Sequence, residues 1–227
     1  MYLGVGVGNH SIHVTSSLGQ RSSITSDRVR APQDWVELAT YGISLPEDHR
    51  LLACVAVPSG GSREESNEIV SAARQANWDG VLLVSAVHAA ARAIKERTVE
   101  EATLTIVVVD SGVSSVGILS SHPLAVVDDD PVHPVAGREA REVAVSLRCL
   151  LKQRPKAELR ELLRRVLVTG DQEEVERIGR RLFERELEAL GIQTVEFETD
   201  PFLVARGAEL IAAETATQAW HRIRRAR

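Results

Sequence analysis

The chain has 227 residues, with 27 Lys plus Arg against 32 Asp plus Glu and a formal net charge of −5. Hydrophobic residues make up 44% and charged residues 26%, which excludes a disordered chain, because such chains pair low hydrophobicity with high net charge. The acidic balance argues against a nucleic-acid binder, and the length suits one large domain or two small ones, either able to bury a core.

Residues 2–7 (YLGVGV) and 11–16 (SIHVTS) alternate and predict two strands. A turn at Leu18-Gly19-Gln20 leads to a third strand at Ser22–Thr25. Pro32 opens a helix with Trp35, Leu38 and Ala39 on one face, ending at Gly42. Residues 51–57 (LLACVAV) form a continuous apolar run, the mark of a strand buried on both faces. Ser62 and Glu65 form a capping box for a helix carrying Ile69, Val70 and Ala73. A strand at 80–84 and an alanine-rich helix over Ala86–Ile94 follow.

The order then repeats. Residues 103–110 (TLTIVVVD) are the strongest strand, paired through a short turn with Ser114–Leu119. A strand at 124–127 is expected to end at Asp128-Asp129-Asp130-Pro131, read as a solvated strand end. Helices cover roughly 136–151 and 156–165, and 166–169 is a short buried strand. Asp171 caps one helix bearing Val175, Ile178, Leu182, Phe183 and Leu187, which runs to Gly191. Residues 192–197 read as a strand, and Asp200-Pro201 starts the final helix. The element order is therefore βββαβαβα twice over, an α/β chain of two units, 1–100 and 101–227.

Cys54 and Cys149 are the only cysteines and support neither a disulfide framework nor a zinc site. Cys54, inside an apolar strand, reads as a small buried hydrophobe. The opening MYLGVGVGNHSIHV has no basic n-region and no long apolar stretch. The expectation is no signal peptide, no transmembrane helix and a cytoplasmic address. His10 and His13 point to opposite faces if 11–16 is a strand, so no metal site is expected. The basic tail WHRIRRAR (220–227) reads as cations at a helix C-terminus.

GVGVGNHS (4–11), VVVDSGVSSVGIL (107–119), the segment 59–93, VLVTGDQEEVERI (166–178) and DPFLVARGAELIAA (200–213) stand in a fixed order. Together they resemble the phosphate, connecting, adenosine and closing segments of the actin and DnaK-type chaperone ATPase superfamily. The resemblance implies duplicated ribonuclease H-like lobes around a nucleotide cleft, with ATP or ADP and magnesium as cofactor. Residue by residue, it places Gly8 in the first phosphate loop, Asp110 and Gly112 in the second, and Gly170 in the adenosine motif.

The same comparison exposes departures. The family's metal-proximal Asp falls on Gly6, and its two Thr on Asn9 and His10. After Asp110 and Gly112, the next two glycines become Val113 and Ser114, whose Cβ atoms crowd a phosphate. Ser85-Ala86-Val87 lacks the family's Glu, and Gly170 is followed by Asp171, a helix cap that also repels nucleotide. The spacings leave no room for the family's peripheral subdomains, which are expected to be absent or vestigial. Gly4, Gly6 and Gly8 have a second reading as small residues against which a helix packs.

Three functions follow from these observations. The first is a degenerate member that does not hydrolyse ATP, needs no cofactor and acts through protein contacts as a scaffold, regulator or chaperone-like adaptor. The second is a weak ATP/ADP binder or slow ATPase using Gly8, Asp110, Gly112 and Gly170. The third is a self-assembling actin-like protein, which makes a homo-oligomer. A protein partner is expected in the first reading, and nucleic acid in none.

Overall fold

The structure is a computed structural model and describes residues 1–8, 11–25, 32–41, 43, 50–57, 62–97, 104–109, 114–120, 125–132 and 137–225. The first part of the chain forms β1 (Tyr2–Val7), β2 (Ser11–Ser16), β3 (Arg21–Thr25), α1 (Pro32–Tyr41), β4 (Leu52–Val57), α2 (Arg63–Gln75), β5 (Gly80–Ser85) and α3 (Ala86–Arg97). The second forms β6 (Leu104–Val109), β7 (Ser114–Ser120), β8 (Ala125–Val132), α4 (Glu139–Lys152), α5 (Lys156–Leu162) and β9 (Val166–Gly170). It continues through α6 (Gln172–Ile178), α7 (Arg180–Glu188), β10 (Val195–Phe197) and α8 (Leu203–Arg225).

Two five-stranded sheets result, ordered β3-β2-β1-β4-β5 and β8-β7-β6-β9-β10. The orders are equivalent. In each, a central strand has an antiparallel hairpin partner on one side and a parallel strand on the other. The first unit is βββαβαβα, as the alternation and apolar runs predict; the second keeps the strand order but has two helices, α4–α5 and α6–α7, at each of its two crossovers.

The two faces of the first sheet differ by side-chain size, because strand side chains alternate. Leu3, Val5, Val7, Ile12, Val14, Ala53 and Val55 point outward and pack with Val36 of α1 and Ile69 of α2. The opposite face carries Gly4 and Gly6, in register with Cys54 and Ala56 of β4. Small residues on this face let a helix lie close. That helix is α8, whose Ala208 and Ala212 pack with Cys54, Ala56 and Ala89 of α3. In the second sheet, Val107, Val109, Val166 and Val168 pack with α4 and Phe183 of α7. Ile106, Val108 and Leu167 pack instead with α3 and with Leu203 of α8. Helices α3 and α8 are thus a shared layer between two sheets, each contacting both. Arg92–Glu214 and Arg206–Glu96 tie them together, and Arg97 reaches Glu198 and Asp200.

Cys54 is fully buried in this layer, and burial pushes its thiol up to about 12, so it is an inert packing group. Ser62 makes the expected capping box with Glu65. Trp78 closes the outer core and donates from Nε1 to Thr40 Oγ1 at 3.2 Å.

Three expectations are corrected. The strand foreseen at 124–127 does not stop at Asp128-Asp129-Asp130-Pro131; β8 runs through them, with Ile118 opposite Asp128 and Ser115 opposite Pro131. As the edge strand of its sheet, β8 tolerates acids and a missing N–H that a central strand would not. The single helix expected from Asp171 to Gly191 is two, α6 and α7, broken where Gly179 takes φ +94°. The strand at 192–197 shortens to Val195–Phe197. No helix among the described residues is long and apolar enough to cross a membrane.

Candidate functional site

The β1–β2 turn, the ends of β6 and β9, the start of β7, and the first residues of α3 and α8 converge on one cleft. Its walls include Gly6, Val7, Gly8, Ser11 and His13 from the first sheet, and Val108, Val109, Ser115, Gly170 and Asp171 from the second. Ala86, Pro201 and Val204 complete it, around a small cavity of about 40 Å³ that opens to solvent. Gly8 and Gly170, two of the residues singled out in the sequence, therefore face one cleft. Asp110 and Gly112 lie outside the described residues, as do Asn9, His10 and Val113.

The glycines at and near the cleft each have a local structural reason. At Gly6 an added Cβ would sit 3.2 Å from Ala205 N and 3.4 Å from Val204 Cγ1, because α8 passes directly over it. Gly4 is tighter still, with Glu209 Cβ at 2.8 Å. The packing reading of these two glycines holds. Gly170 has φ +117°, and an added Cβ would lie 2.9 Å from Val109 N, so both conformation and space demand glycine. The Gly8 N–H donates to Ser11 O at 2.8 Å and closes the β1–β2 hairpin.

Asp171 is the N-cap of α6, as expected: its Oδ1 accepts from Glu174 N at 3.1 Å, and its own N–H donates to Val109 O at 2.8 Å. A helix N-terminus offers an anion its free N–H groups and the positive end of its dipole. Here a carboxylate already fills that role.

Ser11, His13 and the start of α8 also line the cleft, and no motif in the sequence marks them. His13 pairs with Gly6 across the β1–β2 ladder, so its ring rises on the face where Gly6 leaves space. His13 Nε2 and Ser11 Oγ are hydrogen-bonded at 3.3 Å, and the ring meets Phe202 edge-on at 5.4 Å between centroids. Its Nδ1 is buried without a hydrogen-bond partner. The alternation of small and polar residues at 4, 6, 8 and 11, 13, 15 was the available signal that they share one face.

Burial holds His13 below its ordinary value of 6.5, against the smaller upward pull of Asp171 and Asp200. A base with a depressed folded value binds fewer protons folded than unfolded, so stability falls as pH drops below 6.5. The urea midpoint is expected to be lower at about pH 5.5 than at about pH 7.5, and His13→Asn is expected to flatten that difference. An equal pH dependence in wild type and His13→Asn would contradict this assignment.

The described lining, which does not include positions 9–10 and 110–113, offers little to a magnesium nucleotide. The Gly8 amide is engaged in the hairpin, and Asp171 caps the α6 amides. Among the described lining residues there is no Lys or Arg, His13 is neutral near pH 7, and the one carboxylate, Asp171, repels phosphate. Phosphoryl transfer depends on positioning and on neutralising phosphate charge, and this cleft supplies neither among those residues. No group of three or more His, Cys, Asp or Glu placed to hold a metal ion occurs among them either.

Solved structures identify the architecture. The chain is similar to the MamK double helical filament, with TM-score 0.73, 13% identity, 93% of this chain and 98% of that chain covered. It is similar to MreB5 of Spiroplasma citri bound to ADP, with TM-score 0.68, 12% identity and coverage of 96% and 98%. PilM in the PilM–PilN type IV pilus biogenesis complex gives TM-score 0.66, 12% identity and coverage of 93% and 98%. No protein-family model matches the chain, and no curated protein matches it in sequence. The chain shares the fold of these structures, which is also that of Ta0583, an archaeal actin homolog, at TM-score 0.63 and 14% identity.

Proposed function

We propose that this protein is a non-hydrolysing member of the actin-like fold that acts through protein contacts, as a scaffold, regulator or chaperone-like adaptor. The observation that carries the reading is the position of α8 over Gly6. Where the family has a metal-proximal carboxylate, this chain has a glycine against which Val204 and Ala205 pack. The site has been given over to holding α8. The division into units 1–100 and 101–227 belongs to this proposal: each carries one five-stranded sheet, and α8 of the second stacks on the first. A cytoplasmic address belongs to it as well.

A second reading, a weak ATP or ADP binder, is favoured by Gly8 and Gly170 facing one cleft, and by the ADP bound to MreB5. A third, self-assembly, is favoured by the likeness to the MamK filament. The first is preferred because the cleft's described amides and charges are set against phosphate, and because PilM is seen in complex with PilN.

Gly6→Asp tests the choice. Restoring one carboxylate is expected to produce no ATP hydrolysis, because the described lining holds no cation and the Gly8 and α6 amides are already engaged. Phosphate release by the folded variant, above the wild-type rate, would count against the proposal.

A further inference from the structure

We propose that the outer face of α4 docks an acidic helical segment of a protein partner. This rests on the proposed function, whose partner class it names. Arg138, Arg141, Val145, Arg148 and Lys152 are all exposed on α4 and its N-cap. Positions 141, 145, 148 and 152 recur by four, three and four, so they form one stripe, and the row from 138 to 152 is about 21 Å long. Val145, at its centre, is 52% exposed.

Nothing in the fold accounts for this stripe. The opposite face of α4 packs on the second sheet. Among the described residues no side-chain hydrogen bond or ion pair is found for these four cations, whereas Arg92, Arg97, Arg177, Arg180 and Arg206 all hold carboxylates. Two local rules are broken as well. Arg138 and Arg141 lie at the positive end of the helix dipole, where cations are unfavourable. Arg148 and Lys152 are like charges four apart, which destabilises a helix. Glu139 and Glu142 offset the first of these costs, but the Arg148–Lys152 repulsion stays on the surface, where it marks a row that an acidic partner would complete.

A straight basic row with one apolar residue at its middle fits a straight acidic partner with an apolar contact, which is an amphipathic helix. A second copy of this chain fits less well. Its exposed α2 offers Glu64 and Glu68, but Arg63 and Arg74 are exposed on the same helix. One valine is too little apolar surface for a membrane, and the row carries no aromatic residue to stack on bases.

The test is fluorescence anisotropy of the full chain with a labelled synthetic helix of about 20 residues, carrying Glu at the same four-three spacing and one central Leu. Saturable binding at about 50 mM salt is expected, weakened at least about tenfold by Arg148→Glu and by about 300 mM salt. Arg74→Glu on α2 is expected to leave it unchanged. Because Arg148 is exposed and its replacement by Glu removes a like-charge pair with Lys152, the variant should melt no lower than wild type, which circular dichroism checks. Equal binding by wild type and Arg148→Glu would overturn the proposal. So would tighter binding of a DNA duplex or of phosphatidylserine vesicles, or self-association abolished by Arg148→Glu. Magnesium ATP titrated into the same samples separates the two claims. Magnesium-dependent ATP turnover refutes the proposed function whatever the peptide does, while a silent peptide with no turnover refutes only this surface.

Discussion

Gly207→Ala is expected to lower the melting temperature by roughly 6–12 °C, the equivalent of about 3 kcal/mol in a chain of this size. Helix propensity alone gives the opposite sign, since alanine is favoured over glycine in a helix interior by up to about 1 kcal/mol. Packing reverses it. Gly207 sits where α8 crosses α3, and an added Cβ would lie far inside contact with Ala89 O and 3.1 Å from Ala89 Cα. The obstacle is backbone, so no rotamer change relieves it. The two helices must separate, and they form the layer against which both sheets pack. Glycines 4 and 6 provide a graded control. Gly4→Ala also meets backbone, at Ala205 and Glu209, while Gly6→Ala has 3.2 Å to its nearest neighbour and needs only a small shift. The expected order of damage is Gly207 and Gly4 well above Gly6. A neutral or stabilising Gly207→Ala in thermal melts would mean that α3 and α8 do not pack as described.

Phe183→Ala is expected to cost about 3–5 kcal/mol, the range for a buried aromatic that leaves a cavity. Phe183 is fully buried among Val107, Val143, Leu147 and Val168, between α4 and the second sheet. The informative part is where the loss is felt. Trp35 and Trp78 belong to the outer core of the first sheet, far along the chain from the substitution, and the third tryptophan, Trp220, is replaced by Phe in both proteins compared. Because α3 and α8 each pack on both sheets, the two should unfold together. Tryptophan fluorescence and far-ultraviolet circular dichroism are therefore expected to shift to the same lower urea midpoint in the variant. A fluorescence midpoint left at the wild-type value, with circular dichroism moving early, would show that the sheets unfold separately.

The fold was largely legible because its signals are local. Alternation in 2–7 and 11–16, the apolar run at 51–57 and the Ser62/Glu65 capping box each depend on neighbours in sequence. The errors came where context decides. Asp128 to Pro131 look like a strand end, yet an edge strand accepts them. Gly179 looks like an ordinary interior residue, yet it takes a positive φ and splits a helix.

The candidate site was legible only in part. Gly8 and Gly170 were found through their motifs, and the structure sets both on the cleft. What the glycines do was not visible there, because Gly4 and Gly6 meet Ala205 from nearly two hundred residues away. The arrival of Pro201 and Val204 in the cleft, and the seating of His13 against Phe202, are long-range contacts of the same kind. Sequence spacing carries no record of them.

The central claim is that this cleft holds packing rather than nucleotide. Isothermal titration of the full chain with ATP and with ADP, with and without magnesium, tests it most directly. No heat of binding is predicted up to about millimolar nucleotide, with or without the metal. Micromolar binding that requires magnesium would contradict the account and return Gly8 and Gly170 to the role their motifs suggest.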